Sequence, residues 1–131
     1  MFKKILFPID QSREAREAAN MATQLVNTFN SELTLLSVLE TDDSQEAMAS
    51  QEQVSELLHS AKDMFSQVGI EAKLMEREGK PAFVICDVAD EMEADLIVMG
   101  SRGSGLVEPE ASESVSTRVI NFSPCPVLVI P

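Results

Sequence analysis

Asp95-Leu-Ile-Val-Met-Gly100-Ser-Arg-Gly103-Ser-Gly105-Leu-Val-Glu108-Pro-Glu110-Ala-Ser112-Glu113-Ser114-Val115-Ser116 is the stretch that decides the fold class of this 131-residue chain. Leu96 to Met99 are continuously apolar, short and rich in branched side chains, the pattern of a strand buried on both faces. The run stops at Gly100, and Gly103 and Gly105 follow closely. Glycines there admit positive φ and let a ligand approach the backbone, while Ser112, Ser114 and Ser116 are candidate caps for a helix starting near Ser114. A glycine loop between a buried strand and a helix start is a place where a phosphate sits. Three carboxylates, Glu108, Glu110 and Glu113, share that loop.

On either side of this stretch the chain repeats the strand-then-helix pattern. Lys3 to Ile9 reads as a buried strand ending at Pro8 or Asp10, and Ser12 is placed to cap a helix carrying Ala15, Ala18, Ala19, Ala22, Leu25, Val26 and Phe29. Leu33 to Val38 is the second strand. The acidic stretch Glu40 to Gln53 reads as a loop merging into a helix whose stripe is Val54, Leu57, Leu58, Ala61, Met64, Phe65 and Val68. Gly69 stands where a helix C-terminus favours glycine. Ile70 to Met75 is a third strand, partly charged and therefore expected at an edge. Gly79, Lys80 and Pro81 open a third helix with buried face Val84, Ile85, Val88, Ala89 and Met92, the proline falling where its missing N–H is harmless. A last helix runs from about Ser114 to Phe122, Ser-Pro-Cys-Pro ends it, and Val127 to Ile130 is the final strand. Strands alternating with helices throughout predict one α/β domain, residues 1–131, built on a parallel sheet covered on both faces.

The composition narrows the function. A net charge of −12 argues against nucleic acid and anionic membrane surfaces, both of which call for clustered Lys and Arg. No run approaches the ~20 apolar residues of a membrane span, and Pro8 and Asp10 interrupt the first apolar run too early for a signal peptide, so the expected address is cytoplasmic. Cys86 and Cys125 form no CxxC and the chain has one His, so metal and redox readings are weak. Both cysteines are expected as small buried hydrophobes and the seven methionines as core filler. His59 lies off its helix's apolar stripe and is expected in solvent.

Three segments, Ile5-Leu-Phe-Pro-Ile-Asp-Gln-Ser12, Ala94-Asp-Leu-Ile-Val-Met-Gly-Ser-Arg-Gly103 and Ser123-Pro-Cys-Pro-Val-Leu-Val-Ile130, together resemble the universal stress protein family in order and spacing over the full length. The resemblance implies an open five-stranded parallel sheet of order 3-2-1-4-5 with helices on both faces, Rossmann-like and similar to the adenine nucleotide alpha hydrolases. Members are usually dimeric. In that order the carboxyl ends of the first and fourth strands bound a ligand crevice. ATP-binding members carry Gly, two residues, Gly, nine residues, then Gly and Ser or Thr. By position, Pro8, Ile9, Asp10 and Val38 would line the adenine and ribose end. Met99 and Gly100 would end the central strand of the site, and Gly100, Gly103, Ser114, Val115 and Ser116 would hold phosphates, with Arg102 a further candidate. The implied ligand is ATP or another adenine nucleotide, with Mg²⁺ as a candidate companion.

The chain departs from that motif at one glycine, since Glu113 occupies the third position while Ser114 matches. Two like charges at ~6 Å repel by roughly 3 kcal/mol at an effective dielectric near 20, so Glu108, Glu110 and Glu113 weaken triphosphate binding unless Mg²⁺ intervenes or they point away. Helix N-termini attract carboxylates as they attract phosphates, which makes Glu113 a candidate to fill the anion site itself.

Simpler roles stand beside these. Asp10 between a strand and a helix is equally well a helix cap, and Arg102 and Arg118 are more often surface counterions. The loop is not a Walker-type P-loop and no Gly-x-Ser-x-Gly elbow occurs, so the sequence indicates at most slow ATP hydrolysis. Two functions remain. One is a stress-response regulatory domain with an adenine-nucleotide site. The other is a non-nucleotide interaction protein, a homodimer through the apolar edge strand Val127 to Ile130 with an unidentified protein partner.

Overall fold

The computed structural model describes residues 1–9, 14–39, 45–100 and 115–131. Strands and helices alternate strictly: β1 (Lys4–Pro8), α1 (Glu14–Phe29), β2 (Glu32–Leu39), α2 (Gln45–Gln67), β3 (Ala72–Glu78), α3 (Pro81–Glu91), β4 (Leu96–Gly100), α4 (Val115–Phe122) and β5 (Val127–Ile130). The strands form one sheet of order β3-β2-β1-β4-β5, and every ladder is parallel. This is the sheet expected from the sequence, with β3 at one edge and β5 at the other.

Two hydrophobic clusters, one on each face, follow from the period-two alternation of the strands. Ile5, Phe7, Leu33, Leu35, Leu96 and Val98 point to one face and pack against Ala18, Ala19, Ala22 and Val26 of α1 and Leu58 and Phe65 of α2. Leu6, Leu36, Ile97 and Met99 point to the other, under Ala82, Ile85, Cys86, Val88 and Ala89 of α3 and Val119 of α4. The α1 alanines let that helix lie close to the sheet, and Phe7 meets Phe65 edge-on at 6.2 Å between ring centroids.

Helix ends use the left-handed residue that the sequence marked at Gly69. Its φ is 85°, its N–H bonds Ser66 O at 3.0 Å, and the Ile70 N–H bonds Phe65 O at 2.9 Å. That is the paired Schellman closure, with buried Ile70 over buried Phe65 as its apolar clasp. The same closure ends α3 with Glu93 at φ 56°, where Glu93 N bonds Asp90 O at 3.2 Å and Ala94 N bonds Ala89 O at 2.9 Å.

Several boundaries differ from expectation. α2 begins at Gln45, well before the apolar stripe, because Gln-Glu-Ala-Met-Ala-Ser-Gln-Glu are mostly good helix formers without the spacing that marks a buried face. β3 is displaced toward Glu78, since an edge strand tolerates the charged run Glu76-Arg77-Glu78 that had counted against it. Met64, Val68 and Phe29, placed on buried stripes by their spacing, are 42%, 55% and 37% exposed. Each lies near the end of its helix, where the sheet no longer covers the stripe. Among the described methionines only Met99 is buried, so core filler is too broad a description of them. Cys86 is buried as expected, but Cys125 is only half-buried. His59 is exposed as expected.

The two sheet edges differ in kind. β3 presents Lys73, Glu76, Arg77 and Glu78 to solvent, with Lys73 paired to Glu32 at 3.4 Å and Arg77 to Glu91 at 3.8 Å. β5 is Val-Leu-Val-Ile, bracketed by Pro126 and Pro131, with its first three residues half-buried.

Candidate functional site

The candidate site lies at the carboxyl ends of β1 and β4, neighbours in the sheet. β1 pairs with β2 along its whole length, to Pro8 against Leu36, and β4 pairs with β5 to its last residue, Gly100 against Ile130. Among the described residues, β1 pairs with β4 at Ile5 against Leu96 and Leu6 against Ile97. Pro8 and Gly100 are the last residues of these two neighbouring strands, at the carboxyl edge of the sheet.

Pro8 supplies a physical cause. The Ile9 N–H bonds Leu36 O of β2 at 2.9 Å, so by alternation the backbone of residue 8 faces β4. A proline there has no N–H to give, and the last described rung is Leu6 against Ile97. Proline is rare inside central strands for this reason. The strand-ending role assigned from sequence becomes more specific: Pro8 continues the pairing on the β2 side and withholds it on the β4 side.

The candidate residues fall into three groups. Pro8, Val38 and Val115 are half-buried, so each retains accessible surface at the carboxyl end of the sheet or at the start of α4. Ile9, Met99 and Ser116 are 9%, 4% and 5% exposed; Ile9 packs with the α1–α2 cluster and Met99 with the α3–α4 cluster. Their side chains are buried, the Ile9 N–H is already donated to Leu36 O, and Met99 pairs with Val129 of β5. Gly100 is half-buried at the end of β4. Asp10, Arg102, Gly103 and Ser114, together with Glu108, Glu110 and Glu113, lie outside the described residues.

Every described candidate is uncharged. The charged candidates of the sequence, Asp10 and Arg102 with Glu108, Glu110 and Glu113, are all outside the described residues. Met75 and Val84 pack against the same cluster as Val38. The sequence marked Val84 as a buried helix position and Met75 as the end of a strand, but not that they share a cluster with Val38, which for Met75 depends on the β2–β3 register of Leu36 against Met75. Gly79, at φ 141°, bonds Leu39 O through its N–H at 3.0 Å, and a Cβ there would come within 2.8 Å of Val84 Cγ2. This glycine fixes where α3 starts.

Nucleophile and metal chemistry find little support in the described part. Burial pushes both thiols above the ordinary cysteine value, with the Asp87 charge adding to the effect at Cys86, and a hydrogen bond from Ser123 partly opposes it at Cys125. Thiols shifted that way are poor nucleophiles at neutral pH. Among the described residues no three His, Cys, Asp or Glu side chains gather to hold a metal. None of the described helices is long and apolar enough to cross a membrane.

The family model described as "Universal stress protein family" matches residues 1–131. The chain is 57% identical to Universal stress protein Sll1654 of Synechocystis, in an alignment covering 100% of this chain and 87% of that protein. Its fold matches a universal stress protein solved in complex with cAMP, with a TM-score of 0.81, 22% identity and coverage of 98% and 97% of the two chains. It also matches the Archaeoglobus fulgidus universal stress protein solved in complex with dAMP, with a TM-score of 0.76, 23% identity and full coverage of both.

Proposed function

The chain belongs to the universal stress protein family, and we propose that it is a stress-response regulatory domain whose β1–β4 cleft takes an adenine nucleotide. The observation that carries this reading is the early end of the β1–β4 ladder at the point where the sheet order reverses. Connections leave β1 and β4 in opposite directions, so the sheet has a crevice where no loop need cover it. The base fits against Pro8, Val38 and Val115, and the backbone at Gly100 offers hydrogen-bonding groups to a ribose or phosphate. Fold-mates in complex with cAMP and dAMP support an adenine ligand.

The triphosphate end is the altered part in this proposal. Glu113 replaces the motif's last glycine, and Glu108 and Glu110 share its loop. A monophosphate carries less charge toward them than a triphosphate, so AMP is favoured over ATP unless Mg²⁺ bridges acids and phosphates. Thermal-shift titration with AMP, cyclic AMP, ADP and ATP, each with and without Mg²⁺, tests this. The expected order is stabilisation by AMP, and by ATP only with Mg²⁺. Equal stabilisation by ATP without metal would refute the altered loop, and no stabilisation by any of them would refute the nucleotide reading.

A second reading rests on the sheet edges. β3 is guarded by charge, whereas β5 leaves an apolar edge open, which favours a homodimer formed by β5 pairing with its two-fold mate. On this reading the chain works as an interaction protein with or without nucleotide. A cytoplasmic address and a protein partner yet to be identified belong to the same proposal.

A further inference from the structure

The exposed residues of α3 are Phe83, Asp87, Asp90 and Glu91, one aromatic and three acids, on a helix with no Lys, Arg or His. Phe83 has an aromatic neighbour. It meets Phe122 of α4 at 6.1 Å between ring centroids, and the two rings, 51% and 61% exposed, are the most exposed of the six phenylalanines. Neither belongs to the cluster beneath, which these helices supply with Ala82, Ile85, Cys86, Val88, Ala89 and Val119. The pair is bulky apolar surface that the core does not use.

The acids run away from the aromatic pair along one side of the helix. Phe83, Asp87 and Asp90 are spaced i, i+4 and i+7, so they share a face and span ~10 Å of helix length. Glu91 has Arg77 of β3 at 3.8 Å, whereas no ion pair among the described residues reaches Asp87 or Asp90. α3 packs on β2 and against α4, and α4 packs on β5, so α4 stands between this face and the β5 edge.

We propose that this face of α3 docks a basic segment of another protein, with a bulky apolar residue of the partner set against Phe83 and Phe122 and its Lys or Arg side chains facing Asp87 and Asp90. Charge selects the occupant. A second copy of the chain, also at −12, would bring acids against acids here, and nucleic acid or an anionic membrane would be repelled. The two parts of the face contribute differently. Burial of the ring pair supplies the affinity, as aromatic anchors do, while the exposed carboxylates steer the approach and reject acidic partners. The surface is separate from the nucleotide cleft and does not depend on whether the chain pairs through β5.

The chain has no Trp, so the single Trp of a probe peptide reports binding without interference. The probe is a short peptide of Lys and Ala with one central Trp, titrated with the full chain at low and high NaCl. A saturable blue shift of its emission is expected, weakening as salt rises. Phe83→Ala should weaken binding by at least ~10-fold, as loss of an interface anchor does. The double variant Asp87→Asn, Asp90→Asn should weaken it several-fold and flatten the salt dependence. The control, Glu56→Gln with Asp63→Asn, removes the same charge from exposed positions of α2 on the opposite sheet face and should change binding little. All these residues are exposed, so each variant should keep the wild-type circular dichroism. Equal weakening by the control and by the α3 pair would mean attraction by net charge alone and overturns the proposal. So does undiminished binding by Phe83→Ala, or displacement of the probe by spermine, which has no apolar anchor, as readily as by unlabelled probe. No blue shift at ~1 mM wild type overturns it too. A wild-type oligomer that dissociates on Phe83→Ala in sedimentation would give the face to a second copy instead.

Discussion

Replacing Pro8 with alanine should close the cleft. Residue 8 faces β4, and the ladder there stops at Leu6 against Ile97. Alanine restores an N–H where the next rung belongs, and one backbone hydrogen bond contributes about 1 kcal/mol. The loss of proline's restraint on the unfolded chain costs roughly 0.4–1 kcal/mol in the opposite direction. The two nearly cancel, so Tm should move by no more than a few degrees. The local change is larger, because paired strands sit ~4.8 Å apart and a rung at position 8 draws β4 in against β1. Hydrogen exchange followed by NMR on the nucleotide-free Pro8→Ala variant reads this directly: the new amide at position 8 should be protected by at least ~100-fold, as ladder amides are. AMP binding measured by calorimetry should weaken by about 10-fold as the opening narrows. If the new amide exchanges at the rate of an unprotected one, proline does not cause the split. A protected amide with undiminished AMP binding would show that the split is not where the nucleotide sits.

Three other consequences follow from the same physical terms. On the proposed nucleotide reading a carboxylate ~6 Å from a phosphate repels it by roughly 3 kcal/mol, so with Glu113→Gly calorimetry without Mg²⁺ should show ATP binding about 100-fold tighter while AMP changes less. Micromolar ATP binding by the wild type, unchanged in the variant, would contradict this. Glu93→Gly should raise stability by about 1 kcal/mol in urea melts, because an L residue held left-handed at φ 56° gives way to one without that strain. The same replacement at exposed, helical Glu91 should lower it. Cys86 and Cys125 both have thiols raised by burial, so the folded state holds their protons longer than the unfolded one. Their contribution is therefore complete below the ordinary thiol value and lost as pH rises through the folded pKa. Urea midpoints should fall above about pH 9, and fall less in Cys86→Ala.

The fold was legible because its signals are local and repeated. Leu96 to Met99 and Leu33 to Val38 are mostly apolar runs of strand length, and the helices after β1 and β3 show the spacing of a buried stripe. What misled were features whose meaning depends on position in the finished sheet. The charged end of β3 is acceptable because it lies on an edge, and the exposed Met64 and Val68 lie beyond the sheet's cover though their spacing suits a core. The start of α2 has helix formers but no apolar period, so periodicity alone placed it too late.

The candidate site is defined by motif at Gly100 and Val115, and Pro8 could be named from sequence, but its effect on pairing could not be derived. Whether a strand proline withholds its donor from one neighbour or the other depends on pairing register, which no single segment encodes. Val38, Met75 and Val84 come from three elements and pack against one cluster, a convergence that leaves no spacing to read.

Whether the opening between β1 and β4 receives an adenine nucleotide is decided by mapping AMP onto the backbone amides by NMR. A nucleotide seated there should give saturable shifts centred on Ile9, Val38, Gly100, Val115 and Ser116, with little change along β3 and the C-terminal half of α2. Saturating AMP that leaves those amides unmoved, or moves a different face of the sheet, would contradict it.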